Sequence, residues 1–155
     1  MDISSDEIVA MINSTRAGSV WEVLDITLVT AEKDRVVATM PIGPYHRQQV
    51  GYLHGGISIT LAESLASLGT VLNIDAEKQM AFGLEINANH LRPKRDGMLT
   101  GTATPLHRGR TTQVWDVRIT DENDKLICIS RCTIAVVHRP PDNGSPFARD
   151  VPSFG

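Results

Sequence analysis

Between Gly55 and Ile74 the sequence carries a single charged residue, Glu63, set in a run of leucine, isoleucine, valine and alanine. Taking a carboxylate out of water costs several kcal/mol, on the order of a whole domain's net stability, unless it is paired or hydrogen-bonded. Thr60, Glu63, Ser67 and Thr70 follow at spacings of three and four, which on a helix makes one narrow polar stripe. The run opens with His54-Gly55-Gly56. A helix start leaves backbone N–H groups unsatisfied and carries the positive end of the dipole, and glycines there let a ligand's oxygen come close. One carboxylate on a hydroxyl-bearing stripe, downstream of bare N–H donors, marks a site.

The elements that hold these residues are legible around it. Apolar residues from Ile57 to Leu72 ring the helix, which predicts burial on nearly every side. Upstream, Ser4 and Glu7 stand at capping-box spacing ahead of a short helix that ends near Asn13. Val20 to Val29 alternates as a strand, Ala31 to Asp34 turns, and Arg35 to Met40 returns as a hairpin. Pro41 to Gly51 is a loop. Downstream, Gln79 to Leu91 puts Phe82, Leu84, Ile86 and Ala88 on one face, with Glu85, Asn87 and Asn89 on the other. Met98–Leu106, Thr112–Thr120 and Leu126–Val137 follow as strands, separated by polar turns. The expected plan is α+β: a hairpin, a long central helix, then four sequential antiparallel strands curling around it. Residues 1–19 form a helix and linker, 20–138 the compact unit, and 139–155 a proline- and glycine-rich tail, either disordered or laid on the surface by Phe147 and Phe154.

Composition narrows the function. The net charge of −3 and an aromatic content of 5%, with no basic stripe, give nucleic acid or an anionic membrane nothing to hold. The N-terminus is acidic and amphipathic, unlike an export signal. Glycines, hydroxyls and Glu63 argue against reading the central helix as a membrane span. Cys128 and Cys132, four apart on a strand, have Cα atoms about 13 Å apart, too far for a disulfide. Two free thiols predict a reducing, cytoplasmic setting. His46, His54, His90, His107 and His138 are scattered, so no metal site is expected.

Taken together, Gln48, Gly51-Tyr52-Leu53-His54-Gly55-Gly56, Leu61-Ala62-Glu63-Ser64, Ser67, the Gly83-to-His90 run GLEINANH, Pro105-Leu106-His107 and Gln113-Val114-Trp115 resemble the hotdog-fold acyl-CoA thioesterases. The branch is the glutamate-dependent one of 4-hydroxybenzoyl-CoA, 1,4-dihydroxy-2-naphthoyl-CoA and phenylacetate-pathway enzymes. The resemblance covers about residues 20–137. It implies a curled antiparallel sheet wrapped around one long helix and hydrolysis of an acyl-CoA to free acid and CoA, with aromatic acyl groups favoured over short or medium aliphatic ones. No cofactor is implied, because coenzyme A is part of the substrate. It also implies a homodimer with shared active sites, assembled into a homotetramer, with the GLEINANH strand at the dimer seam.

Carried over residue by residue, the resemblance makes Glu63 the carboxylate that attacks the thioester or deprotonates water. Gly55 N–H becomes the donor to the thioester oxygen, and Gln48 and His54 the polar pair facing the substrate. Ser67, one turn beyond Glu63, holds the water or orients the carboxylate. The basic turns bring His90, Arg92, Arg108 and Arg110 to the CoA phosphates. Tyr45, Leu68, Leu72 and Phe82 are expected to set the depth of the acyl pocket. The competing readings are a non-catalytic acyl-CoA-binding module on the same fold and a hotdog dehydratase or hydratase. A costly buried carboxylate argues against the first, and the absence of a Gly-His-Phe-Pro or Asp–His pattern against the second.

Overall fold

The computed structural model describes residues 3–140, so residues 141–155 of the tail, with Phe147 and Phe154, lie outside the described residues. The elements are α1 (Ser5–Ser14), α2 (Val20–Val23), β1 (Thr27–Glu32), β2 (Arg35–Pro41), a 3-10 turn (Pro44–His46), α3 (Gly55–Val71), β3 (Gln79–His90), β4 (Met98–Arg108), β5 (Thr112–Thr120) and β6 (Leu126–His138). All neighbouring strands are antiparallel, in the order β1-β2-β4-β5-β6-β3. This single sheet curls around α3, the architecture that the resemblance implies.

The strands are joined differently from the sequential plan. Strand β3 pairs with β6, not with β4, and so forms one edge of the sheet. The connection from Leu91 to Gly97 is no tight turn. Leu91 N–H donates to Ile127 O and Ile42 N–H to Gly97 O, so the segment crosses the end of the sheet from β6 to β2. The first hairpin is also shorter at its start. Val20–Val23 is helical, with Ser19 Oγ capping Trp21 N–H, and Asp25 at φ 49° with Ile26 N–H on Trp21 O turns the chain into β1. Val20, Val23 and Leu24 fit a helical spacing as well as they fit alternation, and the serine cap decides between the two.

Helix α3 lies against the sheet through Leu61, Ala62, Leu65, Ala66 and Leu68, all buried. Its other side is only half-buried, and α1 with α2 stands over part of it. Two glycines allow the close fit. A Cβ on Gly69 would lie 2.5 Å from Trp115 Cη2, and one on Gly101 would lie 2.6 Å from Leu65 Cδ1. The fully buried Trp115 therefore rests flat on the helix, and its Nε1–H donates to Thr70 Oγ1 at 3.0 Å. Thr70 thus leaves the polar stripe for the core. Gly69→Ala should cost about 1–3 kcal/mol through overpacking against the fully buried Trp115 ring, read as a lower urea midpoint with activity retained in the folded fraction.

Strand β3 breaks its own alternation. A bulge between Gly83 and Glu85 shifts the register, so Ala81, Ile86 and Ala88 share the core side. Phe82 and Leu84, expected on that side, are 52% and 65% exposed. One inserted residue flips every side chain that precedes it.

Candidate active site

Glu63 sits on the half-buried side of α3, in a cavity of about 540 Å³ that it shares with Thr60, Ser64, Ser67, Leu68 and Val71. The carboxylate reaches across to β3 at the bulge. A Cβ on Gly83 would overlap Glu63 Oε1 and lie 3.0 Å from its Cδ, so only glycine leaves room for this side-chain position. Beneath it, burial pushes the Cys132 thiol up to about 12, helped by the negative charges of Glu63 and Glu85. Cys128 and Cys132 are both free and buried.

The start of α3 forms a second cavity, of about 370 Å³, lined among others by Gln48, Gly55, Ser58, His90 and Arg92. His54 is the N-cap, and its exposed ring accepts the Gly56 N–H on Nδ1 at 2.9 Å. Ile57 N–H donates to the His54 carbonyl at 3.0 Å. Among the described residues the Gly55 N–H has no acceptor. The His90 ring lies directly over Gly55. A Cβ there would come within 2.7 Å of His90 Nε2. Gln48 is half-buried at the cavity wall, its backbone closed on Tyr52 O and Gly51 N–H.

The loop before α3 is held from below. His46 is buried, accepts Gly43 N–H on Nδ1 and therefore donates from Nε2 to Leu24 O. Its carbonyl takes the His54 N–H at 2.8 Å, and the Lys94 carbonyl takes Leu53 N–H at 2.7 Å. The Lys94 ammonium bridges Glu122 at 2.6 Å and the buried Asp121 at 3.4 Å. The hydrogen bond to Glu122 raises Lys94 above its ordinary 10.5 and lowers Glu122 below its ordinary 4.5. The Lys125 N–H, before any other group, lowers Asp121 below 3.8. Depressed carboxylates stabilise above their ordinary values and lose that contribution as pH falls through the lowered ones. A raised lysine stabilises below its ordinary value and loses its contribution as pH rises through the raised one. The wild type's stability advantage over Lys94→Met should therefore be full between pH 4.5 and 10.5 and shrink on either side, as melting curves across pH would read.

The site residues expected from sequence divide into groups. Glu63 and Ser67 share one cavity; Gln48, Gly55, His90 and Arg92 share the other. Arg92 Nη1 also donates to Leu126 O at 2.5 Å. Arg108 is elsewhere. Its Nη1 donates to Asn73 Oδ1 and Lys33 O, beyond the C-terminal end of α3, with exposed Arg110 in the same turn. A 17-residue helix, about 26 Å long, separates that turn from Arg92 within one chain. Of the residues expected to set pocket depth, Leu68 lines the Glu63 cavity, Leu72 packs on the core, and Tyr45 and Phe82 are 88% and 52% exposed. Two contributions were missed from the sequence, although a glycine inside a strand pattern is itself a signal for a bulge or a close approach. Gly83 accommodates the carboxylate, and residues 12–21, read as helix, linker and strand, supply half of the cavity lining. Among the described residues no three His, Cys, Asp or Glu side chains converge as metal ligands, and no helix is long and apolar enough to cross a membrane.

Within one chain Gly55 and Glu63 are eight residues apart on the helix, about 12 Å along its axis. A donor to a carbonyl oxygen and a base or nucleophile acting on its carbon must each lie about 3 Å from their target. Within one chain the two therefore do not meet at a single carbonyl group.

Comparison with known proteins adds the family. Residues 50–128 match the thioesterase superfamily. A Listeria monocytogenes protein named 1,4-dihydroxy-2-naphthoyl-CoA hydrolase is 50% identical over 115 residues, covering 74% of this chain and 93% of that one. The crystal structure of a glutamine-to-alanine variant of a Pseudomonas aeruginosa thioesterase superposes with a TM-score of 0.82 at 39% identity, over 84% of this chain and 94% of that one. Two variants of a Staphylococcus aureus protein described as a thioesterase are each 40% identical, with TM-scores of 0.76 and 0.74 over 77% and 76% of this chain and 99% and 97% of theirs. One replaces a glutamate by alanine, the other a glutamine fifteen residues earlier. With its curled sheet, its glycine-opened central helix and these relatives, the chain belongs to the thioesterase superfamily, and it is a thioester hydrolase of the hotdog fold.

Proposed function

We propose that the chain hydrolyses an acyl-CoA, with an aromatic acyl group favoured, at a site shared between two copies. The observation that carries this reading is the pairing of a vacant Gly55 N–H at the start of α3 with a Glu63 carboxylate standing free in a cavity on the same helix. In a two-fold dimer, Gly55 of one copy and Glu63 of the other face one thioester, which resolves their separation within a chain. Strand β3 is suited to the seam, being a sheet edge that exposes Phe82 and Leu84. Pairs of such dimers would make the homotetramer.

Gly55 N–H donates to the thioester oxygen as negative charge develops there, which is typically worth about 10²–10³ in rate. Glu63 either attacks the carbonyl carbon, giving an anhydride that water then opens, or takes a proton from the attacking water. In both routes the C–S bond breaks, the sulfur leaves as CoA thiolate and is protonated, and water supplies the oxygen of the acid. Ser67, one turn along the same wall, holds the water or orients the carboxylate. Gln48 orients the carbonyl from the other half-site, and His54 acts by fixing the helix start. The fifteen-residue spacing of the glutamine and glutamate replaced in the Staphylococcus protein is that of Gln48 and Glu63, which supports both roles. His90 and Arg92, beside Gly55, are the pair for the CoA phosphates, while Arg108 and Arg110 reach them only from another copy. The reaction draws on no metal or redox cofactor, and two free thiols fit a reducing cytoplasm.

The name of the Listeria relative and a largely apolar cavity that includes Trp21 favour an aromatic acyl group. The experiment is release of free CoA from a panel of aromatic and aliphatic acyl-CoAs. Turnover of aromatic thioesters ahead of aliphatic ones is the expected result. CoA binding without release of thiol from any of them would leave a non-catalytic acyl-CoA-binding module in its place.

A further inference from the structure

The Glu63 cavity has an opposite wall that nothing in the reaction uses. Half of its lining comes from residues 12–21, including Ile12, Arg16, Val20 and Trp21. This segment lies before residues 50–128, the part of the chain that carries the superfamily match. We propose that the segment is the acyl-selecting wall of the site, and that Trp21 is the residue that favours aryl over alkyl acyl groups. The inference rests on the hydrolase reading of the Glu63 cavity and adds the specificity determinant to it.

The wall is pinned rather than loose. Asn13 clamps α1 to β1, accepting Leu28 N–H at 2.9 Å and donating to Leu28 O at 3.0 Å. Arg16 Nη1 donates to Asp25 Oδ1, Ile26 O and Thr27 Oγ1, at 3.2, 3.0 and 3.2 Å. Ser19 Oγ donates to Arg16 O and caps Trp21 N–H, and Trp21 O accepts Ile26 N–H at 2.8 Å. The backbone that carries Trp21 is thus tied to the start of β1, and the indole packs against the core. A wall built this way selects by shape.

Among the described residues Trp21 is the one aromatic lining the cavity, and it is half-buried, packed against the core while bordering the open space. Its indole does not ionise at any relevant pH, so it takes no part in the proton chemistry. A flat aromatic wall favours a ring placed offset-stacked or edge-to-face over an alkyl chain of similar area by about two- to ten-fold. Val20, beside it, is 44% exposed and also borders the cavity, so enlarging it fills the space without touching the core.

The test compares kcat/KM for benzoyl-CoA, hexanoyl-CoA and acetyl-CoA in the full-length wild type, Trp21→Phe, Trp21→Ala and Val20→Phe. Trp21→Ala should lower the benzoyl-to-hexanoyl ratio by about ten-fold, and Trp21→Phe should keep it within about three-fold. Val20→Phe should lower benzoyl and hexanoyl turnover relative to acetyl by about ten-fold. It decides the matter if Trp21→Ala fails to fold. A benzoyl-to-hexanoyl ratio within about two-fold of wild type in Trp21→Ala, or ratios to acetyl within about two-fold in Val20→Phe, would overturn the proposal. Glu63→Ala run alongside separates the two layers. If it abolishes hydrolysis while the wall variants leave selectivity unchanged, the wall assignment alone fails. If it hydrolyses like wild type, the reading of the cavity itself fails.

Discussion

Replacing Glu63 by alanine should lower kcat by about 10³-fold or more while leaving CoA binding and folding intact, because the variant removes the base or nucleophile and nothing that holds the core together. The side chain packs no part of the buried cluster and makes no hydrogen bond among the described residues, so its loss leaves no partner stranded. A carboxylate kept half-buried without a partner is a cost that folding alone does not explain. Glu63→Gln should lose nearly as much rate, since the amide is isosteric but neither basic nor nucleophilic. Single-turnover release of free thiol, with CoA affinity measured in parallel, reads both outcomes. Loss of CoA affinity in step with rate would point instead to a binding role.

The second large effect is at Gly83, which has no reactive group. Its Cα lies under the Glu63 carboxylate at the β3 bulge, and a methyl group there overlaps Oε1. What must move is the free end of a flexible side chain, so Gly83→Ala should fold with stability close to wild type. The displaced carboxylate, however, no longer meets the reacting carbon, and a shift of about 1 Å in such a group costs about 10²-fold. The expected signature is a fall in kcat of about 10²-fold with KM and melting temperature nearly unchanged. An unaltered rate would show that the position of Glu63 seen over Gly83 is not the reactive one.

The site was legible in the sequence where chemistry conflicts with its surroundings, and illegible where geometry comes from distant chain. Glu63 stood out because a lone charge in an apolar helix is costly, and the helix start because two glycines follow His54 ahead of an apolar run. The half-buried side of α3, with the carboxylate on it, is the structural counterpart of that conflict. Periodicity failed at the bulge, where the extra residue Leu84 turned Phe82 outward with it, although a glycine inside a strand pattern, here Gly83, is the residue type that marks such a bulge. It failed again at Val20–Val23, where alternation and helical spacing coincide and Ser19 tips the balance. The placement of β3 beside β6 depended on a segment crossing the sheet end, which reads in sequence as an ordinary proline-containing turn. Arg108 and Arg92 read alike as basic turns, yet they lie at opposite ends of α3. The cavity wall at residues 12–21 is contributed from far along the chain, which spacing cannot reveal.

The central claim is that Gly55 and Glu63 of different copies act on one thioester, and mixing two inactive variants tests it most directly. Gly55→Val drives a side chain into the His90 ring and blocks the N–H, while Glu63→Ala removes the carboxylate. Each alone should be nearly inactive. After denaturation and refolding together in equal amounts, random pairing puts one intact Gly55 and one intact Glu63 at a single site in half of the dimers, so the mixture should recover about one quarter of wild-type activity. A mixture that pairs into dimers but remains as inactive as its parents would contradict a site shared in this way.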